Sequence, residues 1–477
     1  MHRPLGGVSV LSDILASRLR TRRPASVASK TITLRRGLDL PISGVPEQRI
    51  ETAAAVDRVA LVGPDYPGMR PSLAVQVGDK VALGQVLWTD KRMPEVRFTS
   101  PASGIVREIN RGEKRSFLSL VIEIDGDQSV GFPIYDDREI DELREEEIRR
   151  ILLMSGLWTS LRARPFGRIA SPRSTPDALF VTAIDTHPLG ARPEVVLAER
   201  EADFVNGLRV LARLGAERRF LCVRPGEAIP GMDVAGWTSV AFAGPHPAGL
   251  PGTHIHFLAP VGRKRTAWHI GYQDVAAIGR LFTSGRLDVE RVIALGGPSV
   301  LRPRLLWTRM GAELNPLLEG ELSAGEHRVV SGSVLGGRAA QGPTAYLGRY
   351  DLQVSVLPAA GPRELFGWLR PGADKHSVQG VTLGAWAAHR RFDMTPSLGG
   401  GRRAIFPVGS YEKVMPLDLL PNFLLRALEN GDLDQAEALG ALELVEEDLA
   451  LCSYVCPGKQ DYGSMLRRVL TAIEREE

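Results

Sequence analysis

The sequence predicts a multidomain α/β protein with four folded parts in chain order: a barrel-sandwich β domain, a Rossmann-like α/β domain, a β-grasp-like domain and a C-terminal helical region. Three observations support this prediction. A chain of 477 residues has room for roughly three domains at about 100–200 residues each. Its 50 glycines and 33 prolines indicate many tight turns between short strands. Strand and helix patterns alternate in the middle of the chain, and helical periodicity dominates its end.

The charge balance and the cysteine count exclude several classes of protein. Lys and Arg number 59 against 56 Asp and Glu, so the formal charge of +3 gives no electrostatic case for nucleic-acid binding. Three cysteines are too few for a disulfide framework and fit a reducing compartment. The longest stretch without formal charge, residues 234–262, contains four prolines, so no membrane-spanning helix is expected.

Residues 1–30 form a basic leader that we predict to be disordered. They hold six Lys or Arg residues against the single acid Asp13. This composition is typical of a transit peptide or a basic amphipathic anchor, and a bacterial leader extension or an upstream start codon explains it as well.

Residues 31–135 are predicted to fold as the barrel-sandwich domain. Short alternating runs bounded by Gly-Asp, Pro-Gly and Ala-Ser-Gly predict hairpin-rich β structure. The run VQVGDKVALGQVL followed by TSPASGIVREI resembles lipoyl and biotinyl carrier domains, in which a lysine at an exposed hairpin tip holds the prosthetic group. Lys91 lies near that place, but no Met-Lys-Met motif stands there, so a purely structural domain is favoured over carrier chemistry.

Residues 136–285 are predicted to form the Rossmann-like domain. An acid-rich amphipathic helix opens it near Asp136. A buried strand over 178–185, a helix over 201–216 and a second buried strand over 218–226 make a β-α-β pattern, which favours a parallel sheet.

The run GTHIHFL is interpreted as a further strand of this domain. A strand places His254 and His256 on one face, where His246 or His269 could complete a metal site. Because no carboxylate follows at a fixed spacing, hydrogen-bonded structural histidines are the favoured interpretation, and no metal site is predicted.

The last two folded parts follow from similar patterns. Residues 286–357 are predicted to form the β-grasp-like domain, in the order strand, strand, short helix, strand. A loop-rich connection over 358–405 leads to the helical region of residues 406–477. There Cys452 and Cys456 lie four residues apart, which puts them on one helix face if the helix continues through both, and they are predicted to be buried helix-packing residues.

The signatures of several chemistries are absent from the sequence. There is no P-loop, no G-x-G-x-x-G that opens a helix after a strand, and no nucleophile elbow. An iron–sulfur cluster needs four thiolates, more than the chain contains. No acid/base or nucleophile constellation stands at a recognisable spacing, so no catalytic residue is predicted.

Residues 156–168, GLWTSLRARPFGR, are interpreted as a loop at a crevice of the α/β sheet. Trp158, Leu161 and Phe166 beside Arg162 and Arg164 offer flat apolar area and fixed donors, which suit an aromatic head group bearing carbonyls. The open alternative is a domain linker packed by tryptophan and phenylalanine.

Eight blocks of sequence in one order resemble the A subunit of the sodium-translocating NADH:quinone oxidoreductase (Na⁺-NQR) family. They run from about Thr31 to the C-terminus and include GLDLPISGVPEQ, VGPDYPGMRPS, SGLWTSLRARPF, GPHPAGLPGTHIHFL, VMPLDLLP and LELVEEDLALCSYVCPGK. The resemblance implies a peripheral subunit on the cytoplasmic face of the bacterial inner membrane, and a β-grasp-like domain of the SLBB type. The implied complex oxidises NADH, reduces ubiquinone to ubiquinol and exports Na⁺. The implied partners are its five other subunits (B to F), chiefly those within the membrane.

The resemblance also implies that this subunit has no redox cofactor of its own. Neither a covalently bound group nor FMN nor an iron–sulfur cluster is expected, and ubiquinone is the implied ligand. In the distantly similar flavin-binding subunit of complex I and the C subunit of the Rnf complex, a glycine-rich loop cradles the flavin phosphate and a four-cysteine motif holds a cluster. Here bulky side chains of GLWTSLRARPF occupy the loop, and Cys452 and Cys456 alone remain of the motif.

The resemblance places quinone contacts near residues 62–69 and 160–166. The implied contact residues are Tyr66, Met69, Arg162, Arg164 and Phe166. A competing interpretation puts the catalytic quinone site in a membrane subunit, which leaves this chain a non-catalytic structural scaffold that caps the membrane subunits.

Overall fold

The computed structural model describes residue 28 and residues 30–359, 371–378, 380, 382–386, 390–398, 401–406 and 408–476. The predicted leader lies outside the described residues except at positions 28 and 30, and the predicted connection over 358–405 lies partly outside them. Within the described ranges, no helix combines the length and the apolar character that crossing a bilayer requires.

The first two strands leave the N-terminal domain and complete two other sheets. Strand β1 (Lys30–Thr33) pairs in parallel with a strand formed by Thr238–Ala243. Strand β2 (Glu47–Thr52) pairs in parallel with a strand formed by Arg304–Arg309. Pairing between such distant segments leaves no mark in local sequence patterns, which record burial and not the identity of the neighbour.

The next seven strands build the barrel-sandwich that the sequence predicts. They are β3 (Arg58–Val62), β4 (Pro71–Leu73), β5 (Lys80–Val81), β6 (Val86–Asp90), β7 (Arg97–Thr99), β8 (Gly104–Arg111) and β9 (Phe117–Ile124). One antiparallel sheet has the order β3-β9-β8-β5 and the other the order β4-β6-β7. The sheets share a core, in which the rings of Trp88 and Phe117 meet edge-on at 5.0 Å between centroids. Lys91 is exposed in the turn that follows β6.

The Rossmann-like domain contains a seven-stranded sheet flanked by helices. Its elements are α1 (Asp137–Glu142), α2 (Glu145–Ser155), β10 (Arg162–Arg164), β11 (Arg168–Ile169), β12 (Ala178–Ala183), α3 (Pro193–Leu197), α4 (Glu201–Leu211), β13 (Arg218–Val223), β14 (Thr238–Ala243), α5 (Pro251–Leu258), β15 (Ala267–Gly271) and α6 (Tyr272–Ser284). The strand order is β1-β14-β13-β12-β15-β10-β11, with the first five strands parallel. The predicted β-α-β pattern is confirmed by β12, α4 and β13, and the predicted helix start by Asp136, whose carboxylate caps α1.

The strand predicted for GTHIHFL is wrong, because this run forms helix α5. Pro251 occupies the first turn, where its fixed φ and missing N–H suit a helix start. The hydroxyl of Thr253 donates to the carbonyl of Pro247, which secures the turn before the helix. Helical residues two apart point in nearly opposite directions, so His254 and His256 do not share a face.

The β-grasp-like domain has one mixed sheet and a short helix. Its elements are β16 (Glu290–Gly296), β17 (Arg304–Arg309), α7 (Leu314–Leu317), β18 (His327–Ser331), β19 (Arg338–Ala339) and β20 (Gln353–Pro358). The sheet order is β19-β18-β20-β16-β17-β2. The predicted succession of strand, strand, short helix and strand is confirmed, and β19 and β20 extend it.

The C-terminal region is helical, as predicted, and has an apolar core of its own. Its helices are α8 (Ser410–Val414), α9 (Pro421–Asn430), α10 (Leu433–Ala438), α11 (Ala450–Val455) and α12 (Tyr462–Glu476). Cys452 and Cys456 are buried in this core, as predicted, but α11 ends at Val455, so Cys456 packs from the extended residue just after the helix and does not share a helix face with Cys452. Cys222 lies apart from them in β13, within a different core.

Two glycines let helices α4 and α6 pack at close range on the α/β sheet. A Cβ atom added at Gly207 would lie 2.0 Å from the carbonyl oxygen of Val275, and one added at Gly279 would lie 1.8 Å from that of Asp203. Each helix therefore offers its backbone to a glycine of the other, and the contact admits no side chain at either position.

We expect Gly279→Ala to destabilise the α/β domain by about 1–3 kcal/mol, because the added methyl group must push the two helices apart. At an exposed helical position, the same glycine-to-alanine substitution would instead stabilise the fold by about 1 kcal/mol, because alanine has the higher helix propensity. Urea unfolding followed by tryptophan fluorescence measures the change. Gly262→Ala is the control, since nothing lies within 4 Å of its added Cβ. Equal stability of both variants would contradict the close-packing argument.

Candidate functional site

A cavity of about 820 Å³ opens at the carboxyl ends of β12 and β15. Strands β13 and β14 lie on one side of β12 and β15 lies on the other, so the order of the sheet reverses between β12 and β15. Open α/β sheets bind ligands at such a reversal, because the loops that leave the two strands diverge there. Thr182 and Asp185 line the cavity at the end of β12, and Gly271 and Asp274 line it at the end of β15.

The other three folded parts close the cavity. The loop after β3 contributes Asp65, the β-grasp-like domain contributes Arg338 and Arg349, and the C-terminal region contributes Glu447 and Arg467. The cavity therefore exists only in the assembled chain.

The segment 156–168 is not a loop but the structured edge of the sheet. A 3-10 turn over Leu157–Ser160 leads into β10 and β11, which form a hairpin, and β10 pairs with β15. The loop interpretation is wrong because backbone pairing with β15 continues the sheet through this segment. Trp158 is fully buried and donates its indole N–H to the carbonyl of Ala170 at 2.8 Å, so it packs the domain as the linker alternative expected.

Of the five implied quinone contacts, Arg162 lines the cavity. Its guanidinium lies 4.8 Å from the centroid of the Tyr350 ring, which is a cation–π contact, and its Nη2 donates to the carbonyl of Gly167 at 3.3 Å. The hydroxyl of Tyr350 donates to the carbonyl of Thr159 at 2.7 Å and so holds the ring in place. Arg162 forms no ion pair with the described residues, which leaves its charge available to a ligand.

Tyr66 and Met69 lie behind the cavity wall and do not line it. Tyr66 is buried, with its ring edge-on to Phe98 at 4.8 Å and to Tyr350 at 6.1 Å between centroids. Met69 is half-buried against the main core. The Tyr350 ring therefore contacts both Tyr66 and Arg162, and Tyr66 supports this ring from the side of the barrel-sandwich domain.

Arg164 and Phe166 lie at the junction with the C-terminal region. The guanidinium of Arg164 is buried 2.7 Å from the carboxylate of Asp448 and donates also to the carbonyl of Glu443 at 2.7 Å. The ring of Phe166 packs against the C-terminal core, and its carbonyl accepts a hydrogen bond from Arg467 at 2.7 Å. Both residues join two domains and do not face the cavity.

The cavity wall carries buried donors that lack a partner. Thr182 Oγ1 and Arg349 Nη2 have no hydrogen-bond partner among the described residues. Arg349 is anchored by its other nitrogen, Nη1, which lies 3.0 and 3.2 Å from the two carboxylate oxygens of Asp274. An unpaired buried donor costs about 1–3 kcal/mol, so these atoms point to a ligand that accepts hydrogen bonds.

His187 links the α/β domain to the C-terminal region at the cavity. Its Nδ1 lies 2.7 Å from the carboxylate of Asp185, and its Nε2 lies 2.7 Å from that of Glu447. Both ring nitrogens face acceptors, which favours the doubly protonated ring. Burial opposes the charge, but the carboxylates of Asp185 and Glu447 hold the pKa of His187 well above its ordinary value.

Asp65 and Asp351 form a second acidic group on the wall. Burial raises the pKa of Asp65 to about 7, and the negative charge of Asp351 adds to the rise. The carboxylate of Asp65 accepts the backbone N–H of Arg349 at 2.7 Å, and that of Asp351 accepts the hydroxyl of Ser331 at 2.6 Å. Asp65 is therefore a neutral carboxyl group below neutral pH.

His254 and His256, the pair with which the possible metal set begins, each bond to other protein groups. His254 Nε2 lies 2.9 Å from the carbonyl of Ala248. His256 lies between the carboxylate of Glu443 at 2.8 Å and the backbone N–H of Asp418 at 3.0 Å. Both rings thus have protein hydrogen-bond partners, in line with the interpretation as structural histidines.

Sequence patterns missed His187, Arg349 and Glu447. His187 follows the predicted strand over 178–185 by two residues, so the rule that ligands meet the carboxyl ends of parallel strands could have singled it out. Arg349 and Glu447 come from distant segments, and their approach to the cavity depends on how the domains pack.

Three family models match the chain in order. The NqrA N-terminal barrel-sandwich hybrid domain matches residues 32–125, and the NqrA second alpha/beta domain matches residues 143–287. The NQRA C-terminal domain, of the SLBB type, matches residues 292–342. These models agree with the predicted fold class.

Curated relatives match most of the chain. The A subunit of the Na(+)-translocating NADH-quinone reductase of Pseudomonas aeruginosa is 56% identical over 445 residues, which cover 93% of this chain and 100% of the relative. Proteins of the same description from Shewanella amazonensis and Klebsiella pneumoniae are each 53% identical, with the same coverage.

Two solved structures show a weaker likeness. They are NAD⁺-reducing NiFe-hydrogenases in the H₂-reduced and air-oxidized states, each 14% identical, with TM-scores of 0.34 and 0.35. The first covers 47% of this chain and 49% of its own, and the second 71% and 69%. TM-scores this low support no inference about this chain. The curated relatives, which share more than half of the aligned residues with it, do show its family. This chain belongs to the NqrA family, the A subunits of Na⁺-translocating NADH-quinone reductases.

Proposed function

We propose that this chain serves as the A subunit of a Na⁺-translocating NADH:ubiquinone reductase and binds the quinone head group in its cavity, without a redox cofactor of its own. The observation that carries the proposal is the set of donor-bearing residues on the wall: Arg162, and Thr182 and Arg349, whose buried Oγ1 and Nη2 atoms lack a hydrogen-bond partner among the described residues. A quinone head group presents carbonyl and alkoxy oxygens, which accept hydrogen bonds and donate none.

The size and shape of the cavity support a flat organic ligand. Its volume of about 820 Å³ lies within the range of about 300–1,000 Å³ that is usual for small-molecule sites. The Tyr350 ring, held by Thr159 and by the arginines beside it, gives the wall a fixed aromatic surface. A planar head group is therefore favoured over a flexible polar ligand.

The acidic groups on the same wall disfavour a nucleotide. Asp185, Asp351 and Glu447 all line the cavity. Two like charges 4 Å apart repel by about 4 kcal/mol at an effective dielectric constant near 20, so these carboxylates would act more strongly against a phosphate than against the partial charges of a neutral quinone. The His187 ring between Asp185 and Glu447 and the arginines of the wall offset part of that repulsion. A flavin phosphate also needs a glycine-rich backbone cradle, whereas the hairpin of β10 and β11 carries a side chain at every position except Gly167.

The proposal extends to the partners and the location. We infer that the chain is peripheral, lies on the cytoplasmic face of the inner membrane and docks on the membrane-embedded members among the five other subunits (B to F). The complex would oxidise NADH, reduce ubiquinone and export Na⁺, with electrons carried by the other subunits. A structural scaffold that caps the membrane subunits is the alternative, and quinone-binding measurements separate the two.

We expect Thr182→Val to weaken binding of a short-chain ubiquinone analogue about five- to tenfold, because one hydrogen bond is worth about 1–1.5 kcal/mol. Titration calorimetry on the purified chain measures the affinity. Thr283→Val is the matched control, since the hydroxyl of Thr283 bonds to carbonyls within α6 and lies outside the cavity.

We expect Arg162→Met to reduce the same affinity by at least tenfold, because hydrogen bonds from a charged donor are worth about 1.5–3 kcal/mol. Methionine keeps the apolar stem, so the loss reports the guanidinium. Arg173→Met, which removes an exposed arginine paired with Glu95, is the control. Wild-type affinity in both the Thr182 and the Arg162 variants would refute the cavity as the quinone site and favour the scaffold.

We expect quinone affinity to fall as the pH rises through about 7. Because the pKa of Asp65 is raised to about 7, the group is a neutral carboxyl below that pH and a carboxylate above it. The carboxylate repels the acceptor oxygens of the quinone. Affinity measured between pH 6 and 8 in wild type and Asp65→Asn tests this, and a slope that persists unchanged in the variant would assign the pH dependence to another group.

A further inference from the structure

The C-terminal region is joined to the α/β domain by ion pairs of a single polarity. Four ion pairs between described residues cross the junction, with N···O distances between 2.5 and 2.7 Å: Arg164–Asp448, Arg168–Glu474, His187–Glu447 and Arg263–Glu437. In each of the four, the α/β domain supplies the arginine or histidine and the C-terminal region supplies the carboxylate. His256 adds a hydrogen bond, because its Nδ1 lies 2.8 Å from the carboxylate of Glu443 while its Nε2 accepts the backbone N–H of Asp418.

The C-terminal helices form a body in their own right. Their core includes Leu424, Leu444 and Leu466, all fully buried, and is separate from the main core of the chain. Side chains of the preceding domains, such as Leu38 and Phe166, reach this core only partly buried. The body can therefore move as a unit without opening its own apolar interior.

The same body supplies one wall of the cavity. Glu446, Glu447 and Ala450 line the cavity from the turn that leads into α11, and Ser464 and Arg467 line it from α12. Displacement of the body would remove this wall and widen the opening of the cavity to solvent.

We propose that the C-terminal body is a lid over the cavity, held in place by the four ion pairs. The chemistry of the junction suits reversible opening. Separated charges regain their hydration, which offsets much of the Coulomb energy that is lost, whereas an apolar junction of equal size would gain nothing from water. The single polarity also produces attraction beyond contact distance, since the pairs act together over about one Debye length, ~8 Å at physiological salt.

The ion pairs differ in their exposure to solvent, so they contribute in different ways to holding the lid in place. Arg263–Glu437 lies at the surface, with side chains 45% and 25% exposed, and is open to screening by salt. Arg164–Asp448 is buried, with 3% and 4% exposed, and is shielded from salt as long as the lid is closed. Opening therefore begins at the outer pairs and ends at the inner ones beside the cavity.

Hydrogen–deuterium exchange on the full chain without quinone tests the lid. Between about 0.1 M and about 1 M salt the Debye length falls from about 10 Å to about 3 Å. We expect exchange to accelerate several-fold over that range at the backbone amides of Gly37 and Asp418, which donate across the junction to the carbonyl of Lys413 and to His256 Nε2, each at 3.0 Å. Exchange in α9 and α11, inside the body, stays constant because the body moves without unfolding.

Charge reversal gives a second, matched measurement. Glu437→Arg places two like charges together at Arg263 and is expected to raise exchange at the amides of Gly37 and Asp418 about fivefold, the size of effect that one exposed pair supports. The swap of Glu437→Arg with Arg263→Glu restores the wild-type rate. Glu123→Arg, opposite Arg107 on the barrel-sandwich surface, is the control and leaves exchange at these two amides unchanged.

Two outcomes would overturn the lid. Exchange at the amides of Gly37 and Asp418 that responds neither to salt nor to Glu437→Arg would mean that the C-terminal body does not move. Exchange that rises equally in α9 would mean that the region unfolds and does not move as a body. Because no quinone is present in these measurements, a failure of quinone binding leaves their result unaffected.

Discussion

The buried ion pair between Arg164 and Asp448 is the contact on which the cavity depends. Arg164 stands on β10, at the edge of the α/β sheet, and its charge can leave water only because the carboxylate of Asp448 and the carbonyl of Glu443 receive it. An isolated charge at this depth would cost several kcal/mol. The pair anchors the 3-10 turn Glu446–Leu449 against the sheet edge. Glu447 reaches His187 from that turn, so the bridge across the cavity depends on Arg164 as well.

The wall of the cavity carries both hydrogen-bond donors and carboxylates, and each group restricts which ligand can bind. Its donors, which include Arg349 and Thr182, favour a ligand that accepts hydrogen bonds, while the carboxylates near them oppose a ligand with negative charge. A neutral, planar, oxygen-bearing molecule satisfies both. The barrel-sandwich domain supports this arrangement from behind, because the buried ring of Tyr66 stands edge-on to the Tyr350 ring over which Arg162 and Arg349 lie. The domain thus shapes the site without contacting a ligand through that ring.

Several elements could be predicted because they bury one face or one continuous run of residues. The strand β12, the helix α4 and the domain order followed from periodicity, and family resemblance led to Arg162. Helix α5 could not be assigned correctly, since a short run such as THIHFL fits a strand as well as a helix until Pro251 and the neighbouring elements decide. The pairing of strands β1 and β2 could not be predicted, because their partner strands lie far along the chain. Arg164 and Phe166 were expected at a ligand and are found between domains, where their charge and ring serve assembly.

By itself the sequence determined the fold class, the order of the domains, the helical end of the chain with its buried Cys452 and Cys456, and the family. Only the tertiary structure decided that His187 faces Glu447, that Arg349 lines the cavity with one buried nitrogen unpaired among the described residues, and that the C-terminal helices close one wall with ion pairs of one polarity. The physical reason is that periodicity records which face of an element is buried, but not against which partner. A cavity between four domains depends on which elements pack against one another, so periodicity alone does not predict it.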